Sequence, residues 1–173
     1  MSNNWLALAT PTVARRLISM VYEALLVTAV LCLVVLTFLL ATQNRQSQTY
    51  AHALQFVLFL TAAAYFIHFW SREGQTLAMK TWRIRLVKPG HEREPVRVAA
   101  ARYFLAWMWF VPGLLLNYAL GLKAWPELGV MAAGMALWAA TALLDKDRQF
   151  LHDRLLGTRL IQLPKVTKKL AAG

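Results

Sequence analysis

The stretch VARRLISMVYEALL, Val13 to Leu26, sets one carboxylate, Glu23, inside a run otherwise fit for hydrocarbon. An ionised acid at such depth is costly unless it is paired, protonated or open to water. Arg16 stands seven residues earlier, about 10 Å nearer the helix mouth and on nearly the same face. Arg16 can snorkel to lipid headgroups, whereas Glu23 cannot reach water so easily. The chemistry this spacing offers is reversible protonation or cation binding within the membrane. His68, near the end of the second apolar run, falls at a similar depth and titrates near neutral pH, so a Glu23–His68 relay is a second expectation. Each residue also has a plainer reading. Glu23 could be a buried ion pair or hydrogen bond that fixes helix packing, with Arg16, Arg102 or Arg154 as partner. His68 could be an interfacial histidine among Phe66, Phe69 and Trp70.

The remaining polar residues offer less. His152 and Asp153 adjoin on a short amphipathic stretch, too few for a metal site. Asp153 reads either as a solvated acid on a basic face or as a tie beneath the bundle to an arginine of the central loop. Pro112-Gly113 interrupts an apolar run, where proline removes a helix hydrogen bond and kinks the chain. Asn117, one turn on, could satisfy the freed backbone groups. No nucleophile-plus-base pair, phosphate-cradling loop or metal-ligand cluster stands out, so enzyme activity, a metal and a cofactor are not expected.

The elements that must hold these residues are membrane spans. Hydrophobic residues make up 58% of the 173-residue chain, above the roughly 45–50% of a soluble domain. A spanning helix needs about 20 mostly apolar residues. Four segments qualify or nearly so: 17–41, 53–70, 103–122 and 125–144. The first is too long for the apolar core of a signal peptide, and no cleavage site follows, so it is expected to be retained. Cys32 lies among valines and leucines and is expected to be a buried, unpaired thiol. Of the 19 Lys and Arg residues, 17 fall before the first span, in the loop 71–102 and in the tail 145–173; Arg45 and Lys123 alone occupy the other side. The positive-inside rule then predicts that both termini and the central loop lie in the cytoplasm. The net charge of +11 is accounted for as topology, with a secondary attraction to anionic lipids. Nucleic-acid binding is not supported, because the basic residues sit beside membrane ends without a binding motif.

Between and after the spans the polar segments repeat an order. GQTLAMK predicts a short helix after Gly74, and TWRIRLV alternates as a strand, with Trp82, Ile84 and Leu86 opposite Arg83 and Arg85. FLHDRLLG predicts a second short helix ended by Gly157, and TRLIQL a second strand. Two spans, a short helix and a strand thus occur twice, which predicts two parallel repeats whose strands pair. Gly129, Ala133 and Gly134 on the fourth span predict close helix packing.

Taken together, these residues resemble the RDD family of small bacterial membrane proteins over nearly the whole chain. That family is named for an arginine and two aspartates. The arginine falls on Arg16 or its neighbour Arg15, and the first aspartate position falls on Glu23, one methylene longer. The second aspartate falls on Asp153 in LHDRLLGT. The segment GQTLAMKTWRIRLV resembles the family's stretch after the second span, where a glycine often stands at Ala78. The resemblance implies transport of an unidentified ligand, or of cations against protons.

The expectation is therefore an all-α membrane protein of one domain. It has four transmembrane helices, short cytoplasmic amphipathic helices and two short strands. Its leading function is a small transporter or transport subunit with Glu23, Arg16 and His68 as the ion or proton site. It would work as a homo-oligomer or with a membrane partner, since four helices enclose little space. The alternative is a membrane adaptor that binds anionic lipid or a partner protein through Arg83, Arg85, Lys168 and Lys169.

Overall fold

The computed structural model describes residues 8–43, 47–91, 93–121, 125–140 and 150–164. The first helix, α1 (Val13–Ala41), starts where the Thr12 hydroxyl accepts from the Arg15 backbone N–H at 3.3 Å, and it runs for 29 residues. At about 1.5 Å per residue it exceeds a 30 Å hydrocarbon core. The second helix, α2 (Gln48–Glu73), is capped by Ser47 and stopped by Gly74 in the left-handed region, φ 66°. A short α3 (Leu77–Thr81) and the strand β1 (Ile84–Val87) follow.

The third apolar segment begins earlier than the expected residue 103. Helix α4 (Val96–Ala106) passes through a 3-10 turn at Trp107–Trp109 into α5 (Val111–Leu120). The break precedes Pro112, which sits in the first turn of α5, where its missing N–H costs no helix bond. Helix α6 (Trp125–Ala140), α7 (Leu151–Leu156) and β2 (Arg159–Gln162) complete the described elements.

Among the described residues, three helical stretches are long and apolar enough to cross a membrane: Val13–Ala41, Gln48–Glu73 and Val96–Leu120. The described part of α6 has 16 residues, short of a full span on its own. Burial on α1 is inverted relative to a soluble helix. Leu40 is 71% exposed, whereas Arg16 is 2% and Glu23 8% exposed. Its buried residues are Arg16, Ser19 and Glu23, one polar stripe facing inward. So much outward apolar surface far exceeds what a water-soluble monomer tolerates. Cys32, expected to be buried, is exposed on this same surface. It needs no protein cover, because lipid can cover it. The chain is an integral, multi-pass membrane protein.

The two strands pair antiparallel, Ile84 with Gln162 and Leu86 with Leu160. Their arrangement is close to two-fold. Leu86 faces Leu160, and three residues before each stands a residue of positive φ, Arg83 at 54° and Gly157 at 63°. Helix α3 packs on α1 as α7 packs on α4. The duplicated order read from the sequence thus recurs as a pseudo-symmetric pair of helix–strand units. The Gly74 carbonyl accepts from Leu86 N–H at one edge of the ribbon, and the Ala9 carbonyl accepts from Gln162 N–H at the other. Both edges are thereby covered.

The apolar core sits where this ribbon meets the helices. Trp70, Met79, Ile84, Leu86, Ala99, Tyr103 and Leu160 form one cluster. Tyr103 hands its hydroxyl proton to the Phe59 carbonyl at 3.0 Å, which ties α4 to α2. Between α5 and α6 a Cβ on Gly113 would lie 2.9 Å from Met131 Sδ, and one on Gly134 3.5 Å from Gly113 N. The expected close packing therefore uses Gly134 against Gly113. Gly129 faces open space.

Candidate functional site

Glu23 is held by two hydroxyls. Tyr65 Oη donates to Glu23 Oε1 at 2.7 Å, and Thr76 Oγ1 donates to Oε2. The three residues come from α1, α2 and the entry to α3. Thr76 is there because it caps α3: the same hydroxyl accepts from Met79 N–H at 3.3 Å. It is 1% exposed. Its one donor and one of its acceptor positions are thus both in use. Tyr65 is steadied by Phe66 and Phe69, with ring centroids at 5.3 and 4.9 Å.

The structure brings Arg16 and Glu23 onto one buried face of α1, with Ser19 between them. The expected Glu23–His68 pair is not formed. His68 is exposed on α2 and lies edge-on to Phe69. It stands three residues after Tyr65, about 60° short of a full turn, and that rotation turns it outward. The arginines offered as partners for Glu23 are engaged elsewhere or turned away. The Arg16 guanidinium lies 5.1 Å from the centre of the Phe150 ring. Arg102 pairs with Asp153. Arg154 is exposed.

Asp153 forms the second centre. It is fully buried and ion-pairs with Arg102, which is itself 7% exposed. It also accepts from the Thr158 hydroxyl at 3.1 Å. The Arg102 guanidinium rests over the Trp70 ring, 4.8 Å from its centre. Trp70 is a buried stacking platform. His152 Nε2 lies 3.6 Å from Asp153 Oδ2. Burial, and then the Arg102 charge, push the His152 imidazole down to about 2, so it is neutral near pH 7. Of the two readings of Asp153, the geometry is that of the tie beneath the bundle.

These contacts cross between the halves. Arg16 of the first half stacks on Phe150 of the second, and Arg102 of the second on Trp70 of the first. The acid site itself is not duplicated. Thr76 stands ten residues before Leu86, and the residue ten before Leu160 is Phe150, which has no hydroxyl to offer. Tyr65 and Thr76 are the site residues that sequence reasoning missed. A threonine directly before the short helix LAMKT was a visible cap signal, but nothing local shows that its hydroxyl reaches α1.

Of the basic residues considered for lipid or partner contact, Arg83 and Arg85 are half-buried on β1 and its approach. The Arg83 carbonyl accepts from Leu163 N–H. Lys168 and Lys169 lie outside the described residues.

No curated protein and no solved structure matches this chain. The sequence model of the RDD family matches residues 10–157. That range holds both centres, the α1 stripe with its acid and the Arg102–Asp153 tie, and it ends at the glycine that closes α7. A match over so much of the sequence, on the residues that organise the fold, shows that the chain belongs to the RDD family.

Proposed function

We propose that the protein is a small proton-coupled transporter, or a transport subunit, in which Glu23 exchanges a proton during movement of a cation or small solute. The observation that carries this reading is the pair of hydroxyls on Glu23. A hydroxyl can donate to a carboxylate or, after rotating, accept from a carboxylic acid. Glu23 can therefore gain or lose a proton while both hydroxyls stay in contact with it, whereas an arginine clamp would hold the carboxylate ionised. An ionisable group within an apolar span is itself a pointer to an ion path. In this reading the protein has four spans, the apolar segment 125–144 being the fourth, and sits in the bacterial inner membrane. The 17-to-2 division of basic residues supports cytoplasmic termini. A homo-oligomer or a membrane partner would enlarge the small interior.

The test is flux in proteoliposomes under imposed proton and cation gradients. Glu23→Gln abolishes coupled flux while the protein still inserts. Tyr65→Phe and Thr76→Val leave flux present but shift its pH dependence. A purified protein that moves neither protons nor cations under any gradient ends this reading. In that case the adaptor alternative gains ground, with its own mark: lipid or partner association lost on neutralising Arg83, Arg85, Lys168 and Lys169, and unchanged in Glu23→Gln.

A further inference from the structure

A third buried acid, unlike Glu23 and Asp153, has no donor among the described residues. Glu94 is 5% exposed, and both of its carboxylate oxygens are buried with no hydrogen-bond partner among the described residues. It lines a small pocket with Gly74, Arg85, Lys88, His91 and Arg93. The open space is about 10 Å³, room for one group the size of a water or an ammonium. Arg102, whose charge reaches Glu94, is committed to Asp153 and Trp70, and Arg85 lines the same pocket without a hydrogen bond to either Glu94 oxygen. Burial pushes the Glu94 carboxyl up, and the charges of Arg102, Lys88 and His91 pull it back without bonding it. A buried carboxylate in this state calls for a small cationic donor.

The position says where such a donor would come from. Gly74 ends α2 and Glu94 stands two residues before α4, so the pocket lies at the ends of two spanning helices. That is the level of lipid headgroups. Its rim is basic: among the described residues, Lys88, His91 and Arg93 surround Glu94, the single acid of the lining. A ligand that matches both features carries a primary ammonium and, a few bonds away, a phosphate.

We propose that this pocket is a receptor for the headgroup of a zwitterionic aminophospholipid, its ammonium on Glu94 and its phosphate on Lys88 and Arg93. The ammonium enters the small cavity and supplies three N–H donors to the orphaned oxygens. The phosphate stays at the rim, where Lys88 and Arg93 can meet it from the half-exposed and exposed sides of the loop. A trimethylated headgroup is excluded twice: it is too large for the cavity, and it has no N–H to donate. A purely anionic headgroup satisfies the rim and repels Glu94. The proposal is independent of whether Glu23 exchanges protons.

The experiment uses the full-length protein, purified in detergent and stripped of lipid. Short-chain phosphatidylethanolamine, phosphatidylcholine, phosphatidylglycerol and inorganic phosphate are titrated separately. Binding is read by native mass spectrometry and by the shift in thermal unfolding. Phosphatidylethanolamine is expected to bind about tenfold or more tightly than phosphatidylcholine. Glu94→Gln, which keeps the side-chain shape, is expected to erase that preference. Lys88→Gln with Arg93→Gln is expected to weaken binding of both lipids while keeping the preference. Equal binding of all three lipids, stabilisation by inorganic phosphate alone, or a preference that survives Glu94→Gln overturns the proposal. If Glu94→Gln fails to fold, the wild-type preference for a primary over a trimethylated ammonium decides by itself.

Discussion

At the scale of single residues, the Arg102–Asp153 pair is the interaction whose loss should be felt most. Both groups are buried, so removing one leaves the other charged and without its ion-pair partner. Asp153→Asn is expected to cost about 3–5 kcal/mol, seen as a large drop in unfolding temperature in detergent. Replacing both, as in Arg102→Met with Asp153→Leu, should recover most of that loss, because an apolar pair needs no desolvation. A double variant as unstable as the single one would show that the pair does more than neutralise itself. His152 gives the site a pH signature. Its folded pKa is about 2, against 6.5 for a free imidazole. Between these values the unfolded chain binds a proton that the folded chain does not. Stability from this group is therefore full above pH 6.5 and falls as pH drops below it, by up to about 1.4 kcal/mol per unit. Glu94 acts in the opposite sense: its raised pKa gives a contribution present below 4.5 and lost as pH rises. His152→Gln should flatten the loss between pH 6.5 and 5, as followed by thermal unfolding across that range.

At the scale of elements, two glycines are set by the packing around them. Gly74 ends α2 with φ 66°, and a Cβ there would lie 2.5 Å from the Leu86 carbonyl oxygen, a backbone atom that cannot move aside cheaply. That carbonyl belongs to β1, whose Leu86 N–H in turn bonds the Gly74 carbonyl at 2.8 Å. Gly74→Ala should thus cost about 2 kcal/mol or more, from the left-handed backbone and the clash together. Gly113→Ala meets Met131, whose flexible sulfur can shift but whose Cα stands 3.2 Å from the new methyl. The expected cost is smaller, about 1–2 kcal/mol, and Met131→Ala should relieve part of it. Both effects are measurable as loss of folded protein on graded SDS titration. An unaffected Gly74→Ala would mean that α2 does not end against β1 as described.

At the scale of the whole molecule, the ribbon of β1 and β2 joins the two halves, and its register can be read by cross-linking. Val87 lies opposite Arg159. Opposed residues in an antiparallel pair are about 4.5–5.5 Å apart at Cα, within disulfide reach. With Cys32 replaced by serine, V87C with R159C should oxidise to a faster-migrating species on non-reducing gels. V87C with I161C, displaced by two positions, should not. The reverse result would shift the strands and, with them, the seating of α3 on α1 and of α7 on α4. The crossed stacking of Arg16 on Phe150 and Arg102 on Trp70 makes the same point in side chains: neither half completes its own arginine site.

Hydropathy and charge are local properties, and what depends on them was legible in the sequence. The apolar runs placed α1, α2 and the third segment, and the alternation in TWRIRLV and TRLIQL placed two strands that do pair. The inner face of α1 was legible too, because Arg16 and Glu23 share it by spacing alone. Three things were decided only by tertiary structure. Glu23 is bonded by Tyr65 and Thr76, 42 and 53 residues away, and not by His68, since a rotation of about 60° along α2 separates an inward side chain from an outward one. Trp70 is a platform beneath Arg102 because α4 arrives against α2, which no pattern within either helix encodes. Nothing local in the loop 71–102 marks Glu94, and its burial follows from where α2, β1 and α4 converge. Sequence period fixes which face a residue is on. Which distant group meets that face is set by how the elements pack.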